Sequence, residues 1–264
     1  MTQIITLLTD FGIQDGYVAS MKGVIMGICP EARFVDISHL IPPQDVRSAA
    51  FVLSTVYRDF PVGTIHLAVV DPGVGTDRKA LAIETEHCLL VGPDNGLFSW
   101  ILKREDKWEA RSVENTAYLR SPVSRTFHGR DVFAPVAAHL ANGVRIHSLG
   151  PSCIPLIARW CSFSRHKGGL YGEVIHIDRF GNIITNVTGE DLKDFDFISQ
   201  WTIDVGGHII SEFVSIYAQA TPGSPAALIG SSGHLEIALN QGDAARSLGI
   251  HSGDPVRVTP QTSP

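Results

Sequence analysis

Residues 4–12 read Ile4-Ile5-Thr6-Leu7-Leu8-Thr9-Asp10-Phe11-Gly12, a short apolar run that ends in an acid and a glycine. Such a run fits a buried strand whose carboxyl end delivers Asp10 into a loop. A helix is expected next, from Asp15 to Ile28, stopped by Pro30. Gln44 to Tyr57 reads as a second helix, because Val46, Ala49, Ala50, Leu53, Val56 and Tyr57 share one face at 3.6-residue spacing. Thr64 to Val70 repeats the opening theme, an apolar strand ending in Asp71. Leu81–Ile83 and Cys88–Val91 read as further strands, Gly96–Lys103 as a short helix, and Asp131–Ala141 as a helix that Asp131 is placed to cap. Strands alternating with helices predict an α/β layer with a largely parallel sheet.

The pattern changes near Gly150. Pro151 to Gly169 holds prolines, serines, a basic cluster and a Gly-Gly pair, which suits a linker. Beyond it come short runs at Gly172–Ile177, Thr202–Val205, Ala226–Ile229 and Leu235–Leu239, punctuated by Gly, Pro, Asn and Asp as in a small β-barrel or sandwich. Two domains follow: an N-terminal α/β domain over residues 1–160 and a small C-terminal β-barrel over residues 161–264.

Composition narrows the function classes. The 264 residues are 44% hydrophobic and 18% charged, enough to bury a sizeable core and too apolar for intrinsic disorder. A net charge of -6 argues against a nucleic-acid partner, which would select a basic surface. Neither a long uncharged apolar run nor a basic-then-apolar leader is seen, so a soluble, cytoplasmic protein without a membrane partner is expected. Cys29, Cys88, Cys153 and Cys161 form no C-x-x-C pair, and the eleven histidines form no H-E-x-x-H. No local motif asks for a metal or a cofactor.

Four polar loops carry the chemistry. Asp10, with Asp15 just beyond, lies where ligands of open α/β sheets bind; a turn-forming Asp followed by a helix cap is the plainer alternative. The loop Asp71-Pro72-Gly73-Val74-Gly75-Thr76-Asp77-Arg78 brackets an acid and a base, which fits a site or an ion pair that merely pins the loop. His128, in Thr126-Phe127-His128-Gly129-Arg130-Asp131, stands before a helix N-terminus, where positive potential favours the neutral imidazole. A surface histidine beside a cap reads equally well there. Asp178-Arg179-Phe180-Gly181-Asn182, with Ser231-Ser232-Gly233 and Glu236 downstream, offers an aromatic face beside an amide that can read a flat ring, or ordinary hairpin residues. Gly92-Pro93-Asp94-Asn95-Gly96 reads as an architectural tight turn.

Together the segments Thr9–Gly12, Asp71–Arg78, Gly92–Gly96, Thr126–Pro135, Phe180–Asn186 and Ser231–Asn240 resemble, in order and over nearly the whole chain, the S-adenosyl-L-methionine (SAM) hydroxide adenosyltransferases. These are adenosine-forming SAM hydrolases related to fluorinase and chlorinase. The resemblance implies an α/β domain joined to a small β-barrel, and homotrimers whose nucleoside sits between one subunit's N-terminal domain and a neighbour's C-terminal domain. It also implies that Asp71, Arg78 and His128 activate water and that Asp10 holds the ribose hydroxyls. Phe180 and Tyr217 would flank adenine and Asn182 would read its edge, with Asp15, Asp178, Ser231 and Glu236 near the methionine portion.

Halogenases of this group lack the full Asp/Arg/His set, which this chain has, and fluorinase carries an insertion that this chain does not. Gln44 stands where fluorinase has a tryptophan against the ribose, and Gly230 replaces an Asn that often precedes the Ser-x-Gly turn. Hydrolysis of SAM to adenosine and L-methionine is therefore expected, with no cofactor and no metal. The alternatives are a SAM-dependent 5′-halogenase, a non-catalytic SAM- or adenosine-binding protein, and a metal-dependent phosphoesterase built on Asp10, Asp71, His128 and Asp131.

Overall fold

The computed structural model describes residues 3–166, 168–193 and 201–260. The chain divides into two compact units, Met1–Ala158 and Arg159–Pro264. The first unit runs β1 (Ile4–Thr9), α1 (Tyr17–Ile28), β2 (Arg33–Ser38), α2 (Val46–Val56), β3 (Thr64–Val69), β4 (Ala80–Thr85), β5 (Cys88–Pro93), α3 (Ser99–Arg104), β6 (Trp108–Ser112) and α4 (Ala134–Ala141). Its strands form one sheet in the order β2-β1-β3-β5-β4-β6. The β2, β1, β3 and β5 neighbours pair in parallel, whereas β4 is antiparallel to both β5 and β6.

Alternation along the central strands explains why helices cover both faces. Ile5 and Leu7 point into a core shared with Met21, Ile25, Phe133 and Val136, whereas Leu8 joins Ala49, Leu53, Leu97 and Ile101 on the other face. β1 and β3 are thus sandwiched and nearly all buried, and their carboxyl ends carry Asp10 and, two residues past β3, Asp71 to the same edge of the sheet. The helix expected from Asp131 begins instead at Ala134, after a π-helical turn over Gly129–Phe133. Asp131 does not cap it. Fully buried, it takes hydrogen bonds from the Arg130 guanidinium and from Ser124 N, with Arg120 at 3.4 Å. A buried carboxylate finds more there than one amide could give.

Two buried polar groups tie this unit together. The Glu105 side chain, 1% exposed, accepts from Tyr57 Oη at 2.8 Å and Arg58 Nη2 at 2.8 Å, and meets His87 Nδ1 at 2.9 Å. It staples the ends of α2 and α3 to the β4–β5 turn. On β3, His66 is wholly buried with Nδ1 2.8 Å from Thr6 Oγ1, and burial pushes its pKa down to about 4. The folded chain therefore binds this proton less readily than the unfolded chain, whose histidine titrates near the ordinary 6.5. Stability present above about pH 6.5 should be lost as pH falls toward 4, by about 3 kcal/mol from this group. Urea titrations at pH 7.5 and 4.5 should show that loss, and His66→Leu should flatten it.

The second unit runs β7 (Ser164–His166), β8 (Gly169–Ile177), β9 (Ile183–Thr188), α5 (Gly189–Lys193), β10 (Trp201–Val205), β11 (His208–Ile210), β12 (Pro225–Ile229), β13 (His234–Leu239), α6 (Ala244–Leu248) and β14 (Pro255–Pro260). Its strands follow the order β11-β10-β14-β8-β9-β13-β12, and those neighbours are antiparallel. Ala227 of β12 bonds back to Glu212 and Val214, just past β11, so the sheet nearly closes into a barrel. Trp201, Ile203 and Val205 point inward at every second residue, beside Val174, Leu235, Ile237 and Val256. The stretch predicted as a linker, Pro151–Gly169, contains β7 and a 3-10 turn at Arg159–Cys161, so it is partly built into the second unit.

Candidate active site

At the carboxyl edge of the first sheet lies a cleft of about 420 Å³. Asp10, Phe11, Tyr17, Pro43, Gln44, Val69, Asp71, Pro72, Val74, Thr126, Phe127, His128 and Gly129 line it. Four segments make this wall: the loops that follow β1, β2 and β3, and the stretch that leads into α4. Rings of Phe11, Tyr17 and Phe127 pack edge to face or tilted, with centroids 5.2–6.0 Å apart, and give one side an aromatic surface.

The loop after β3 turns back on itself twice. Val74 N bonds Asp71 O, Thr76 N bonds Gly73 O, and the Thr76 hydroxyl also donates to Gly73 O. Gly75 holds φ +78°, and a Cβ there would stand 2.4 Å from the Arg125 carbonyl oxygen, so only glycine lets this loop press on its neighbour. The double turn returns Arg78 to Asp71. Arg78 Nε lies 2.9 Å and 3.0 Å from the two Asp71 oxygens, and Nη2 also donates to Oδ2.

The same Nη2 reaches His128 Nδ1 at 2.9 Å, so the Arg78 guanidinium joins Asp71 to a histidine 50 residues further along the chain from Arg78. Arginine has no acceptor, so His128 Nδ1 must be the lone-pair atom and the neutral ring carries its proton on Nε2. Burial, reinforced by the Arg78 charge, lowers the His128 pKa below its usual value, with Asp71 and Asp131 opposing. Arg78 packs over the Phe133 ring at 5.1 Å and is 11% exposed, standing behind the acid and the imidazole that face the cleft.

His128 sits in front of the π-helical turn, a feature that recurs at functional sites because it displaces the local helical register. Asp10 Oδ2 accepts the Gln44 backbone N–H at 2.7 Å. Asp10, Asp71, Arg78 and His128 are thus brought together, while Asp15 is exposed in the loop before α1 and is not among the residues that line the cleft. The Asp10, Asp71, His128 and Asp131 set does not converge as metal ligands. Asp71 and Asp131 are each held by arginine, and among the described residues no group of three or more His, Cys, Asp or Glu is placed to hold a metal.

The other predicted residues lie in the second unit. Asp178 is a well-filled turn acceptor, taking Phe180 N, Asn182 N and Asn182 Nδ2 at 2.8–2.9 Å. Tyr217 Oη donates to Glu236 Oε1 at 2.7 Å. Burial, then the Asp178 charge, raises the Glu236 carboxyl above its usual range, with the Tyr217 bond opposing; burial and Glu236 push Tyr217 up to about 12. Phe180, 75% exposed, and Tyr217, 45% exposed, present aromatic faces to solvent, and Ser231 is exposed in the β12–β13 turn. Gly230 has its reason in Glu236: a Cβ there would lie 2.3 Å from Oε2.

Sequence reasoning missed the aromatic trio and the backbone role of Gln44. Phe11, Tyr17 and Phe127 carry no spacing signal, and Gln44 acts through an amide that every residue but proline has. Asn95, read as architectural, donates to the Val70 carbonyl and so braces the strand end next to Asp71.

Residues 5–150 match the SAM hydroxide adenosyltransferase N-terminal domain, and residues 172–257 match its C-terminal domain. The chain is 41% identical to a protein of Thermus thermophilus named (R)-S-adenosyl-L-methionine hydrolase, over 95% of this chain and 97% of that one. It is 27% identical to a fluorinase of Actinoplanes sp. over 97% of each chain. Among solved structures it is similar to a conserved protein of Thermotoga maritima at a TM-score of 0.86 and 35% identity, covering 97% of this chain and 99% of that one.

Proposed function

Since the chain belongs to the SAM hydroxide adenosyltransferase family, we propose that it hydrolyses S-adenosyl-L-methionine at C5′, releasing adenosine, L-methionine and a proton. The observation that carries this reading is the Asp71–Arg78–His128 bridge set in a cleft wall beside Asp10. A sulfonium leaves as a neutral thioether, so no acid has to protonate it. What the reaction asks of the protein is a water oxygen aimed at C5′ opposite sulfur and a group that takes its proton. Aligned reactants of this kind gain effective molarities of roughly 10⁵–10⁸ M.

The three residues divide that work. His128 Nδ1 is occupied by Arg78, so the ring offers Nε2–H as a donor that orients the water oxygen. Asp71 keeps acceptor lone pairs and takes the proton, worth about 10²–10⁴ in rate for a positioned base. Arg78 acts through both. Its fork fixes the carboxylate plane and the imidazole tautomer, and a lysine would supply charge without that geometry. Asp10 holds the ribose 2′- and 3′-hydroxyls. Phe180 and Tyr217 flank adenine and Asn182 reads its edge, with Asp15, Asp178, Ser231 and Glu236 toward the methionine portion. In the trimer that the family resemblance implies, the second-unit residues among these come from a neighbouring subunit, which fits the exposure of both rings.

The test is incubation of the purified protein with EDTA and each sulfonium epimer of SAM in ¹⁸O-labelled water. Adenosine and methionine in equal amounts, with ¹⁸O in the 5′-hydroxyl, is the expected result. A 5′-halo-adenosine formed only with added halide, or loss of activity on chelation, would sink the reading.

A further inference from the structure

Gln44 and Gln241 are the two non-glycine residues with positive φ among the described residues, and Gln44, at φ 66°, lines the cleft. A side chain in the left-handed region is strained, and such strain persists where surrounding structure over-determines it. Here the surroundings do so. Pro42 and Pro43 lead in, Asp45 N bonds back to Pro42 O at 3.0 Å, and Asp45 is locked as the cap of α2 through Ser48 N at 2.9 Å and Ser48 Oγ at 2.6 Å. Between these anchors the Gln44 N–H has one direction, and it meets Asp10 Oδ2 at 2.7 Å.

The same segment grips the Asp10 loop from its other side. His39 Nδ1 lies 2.8 Å from the buried Thr9 hydroxyl, and Gly12 N donates to the His39 carbonyl at 2.8 Å. His39 Nε2 in turn stands 3.1 Å from Asp36. Residues 9–12 are therefore clasped by residues 39–44 at three points, of which one is on the functional carboxylate itself.

We infer that Gln44 is a positioning residue: its strained backbone N–H turns the Asp10 carboxylate so that Oδ1 faces the ribose diol. This rests on the reading of Asp10 as the diol acceptor. An aspartate free to rotate about its terminal torsion presents either oxygen at many angles. A charge-assisted N–H···O bond removes that freedom before substrate arrives, which is preorganisation. The identity of the side chain matters little on this account, provided the residue tolerates positive φ and keeps its N–H.

The test compares kcat/KM for SAM with that for its 2′-deoxy analogue. The parent should favour the ribose substrate at least about tenfold, as expected for a hydrogen bond to a charged group. Gln44→Gly accepts φ 66° and keeps the donor, so it should hold that preference within about twofold. Gln44→Ile resists positive φ and Gln44→Pro has neither the donor nor the torsion, so both should bring the preference to within about threefold of unity. Their loss should fall on KM for SAM more than on kcat. Should the proline variant fail to fold, the glycine and isoleucine pair decides. A folded isoleucine variant with the full preference overturns the proposal, provided Asp10→Asn has lost it. If Asp10→Asn also keeps the preference, the diol role of Asp10 is what fails, and the proposal falls with it.

Discussion

Asp71→Asn is expected to lower kcat by about 10²–10⁴ while leaving KM for SAM within a few-fold of the parent. The substitution keeps size and shape, and the remaining amide oxygen still accepts from Arg78. What goes is the carboxylate proposed to take the proton of water. Because the Asp71 side chain is 5% exposed and held by a guanidinium, bulk solvent cannot replace it without displacing Arg78. Arg78→Lys should also lower kcat, with His128 freed to choose its tautomer. The checks are steady-state kinetics and calorimetric SAM binding on folded variants. Lost binding with retained turnover of bound substrate would refute the base assignment.

Arg58→Met should destabilise the first unit by about 3 kcal/mol, more than Glu105→Leu. The Glu105 carboxylate is 1% exposed and Arg58 is 53% exposed, so the two partners are not equivalent. Without the arginine, a charge remains in the interior with only Tyr57 and His87 against it. Without the glutamate, Arg58 turns to water and the main orphan is the Tyr57 hydroxyl, worth about 1–3 kcal/mol. Denaturant unfolding of both variants gives the order, and a larger loss for Glu105→Leu would show that the hydroxyl, not the charge, governs.

The parts legible in the sequence are those where a side-chain pattern and the fold share a cause. Strands β1 and β3 are buried on both faces, so their apolar runs and terminal acids stand out. Edge strands hide: β2 reads Arg-Phe-Val-Asp-Ile-Ser, because half of it is exposed and none of it is fully buried. Strand β9 hides differently, with buried Asn186 made acceptable by the carbonyls of Trp160 and Ser162 and by Glu173 N.

In the site, Asp71 and Arg78 share a loop whose glycines announce an unusual backbone. Pairing them with His128, and bringing in Asp10, took either the family resemblance or the fold, since nothing local joins residues 50 apart. The Gln44 contribution is made by the main chain, to which composition and motif reading are blind.

The widened turn at Gly129–Phe133 has a consequence for how the site and its scaffold vary. In an ordinary helix each residue advances the direction by about 100°, so an end residue and a core-facing residue move like teeth on one gear. A π-turn carries a surplus residue and acts as a clutch between them. Ala134, Val136, Ala137 and Leu140 stay phased to the sheet, while His128 is phased to Arg78. Removing one residue from that turn would leave the packing face of α4 free to seat as before and rotate the imidazole away from its guanidinium, separating foldedness from turnover in a single deletion.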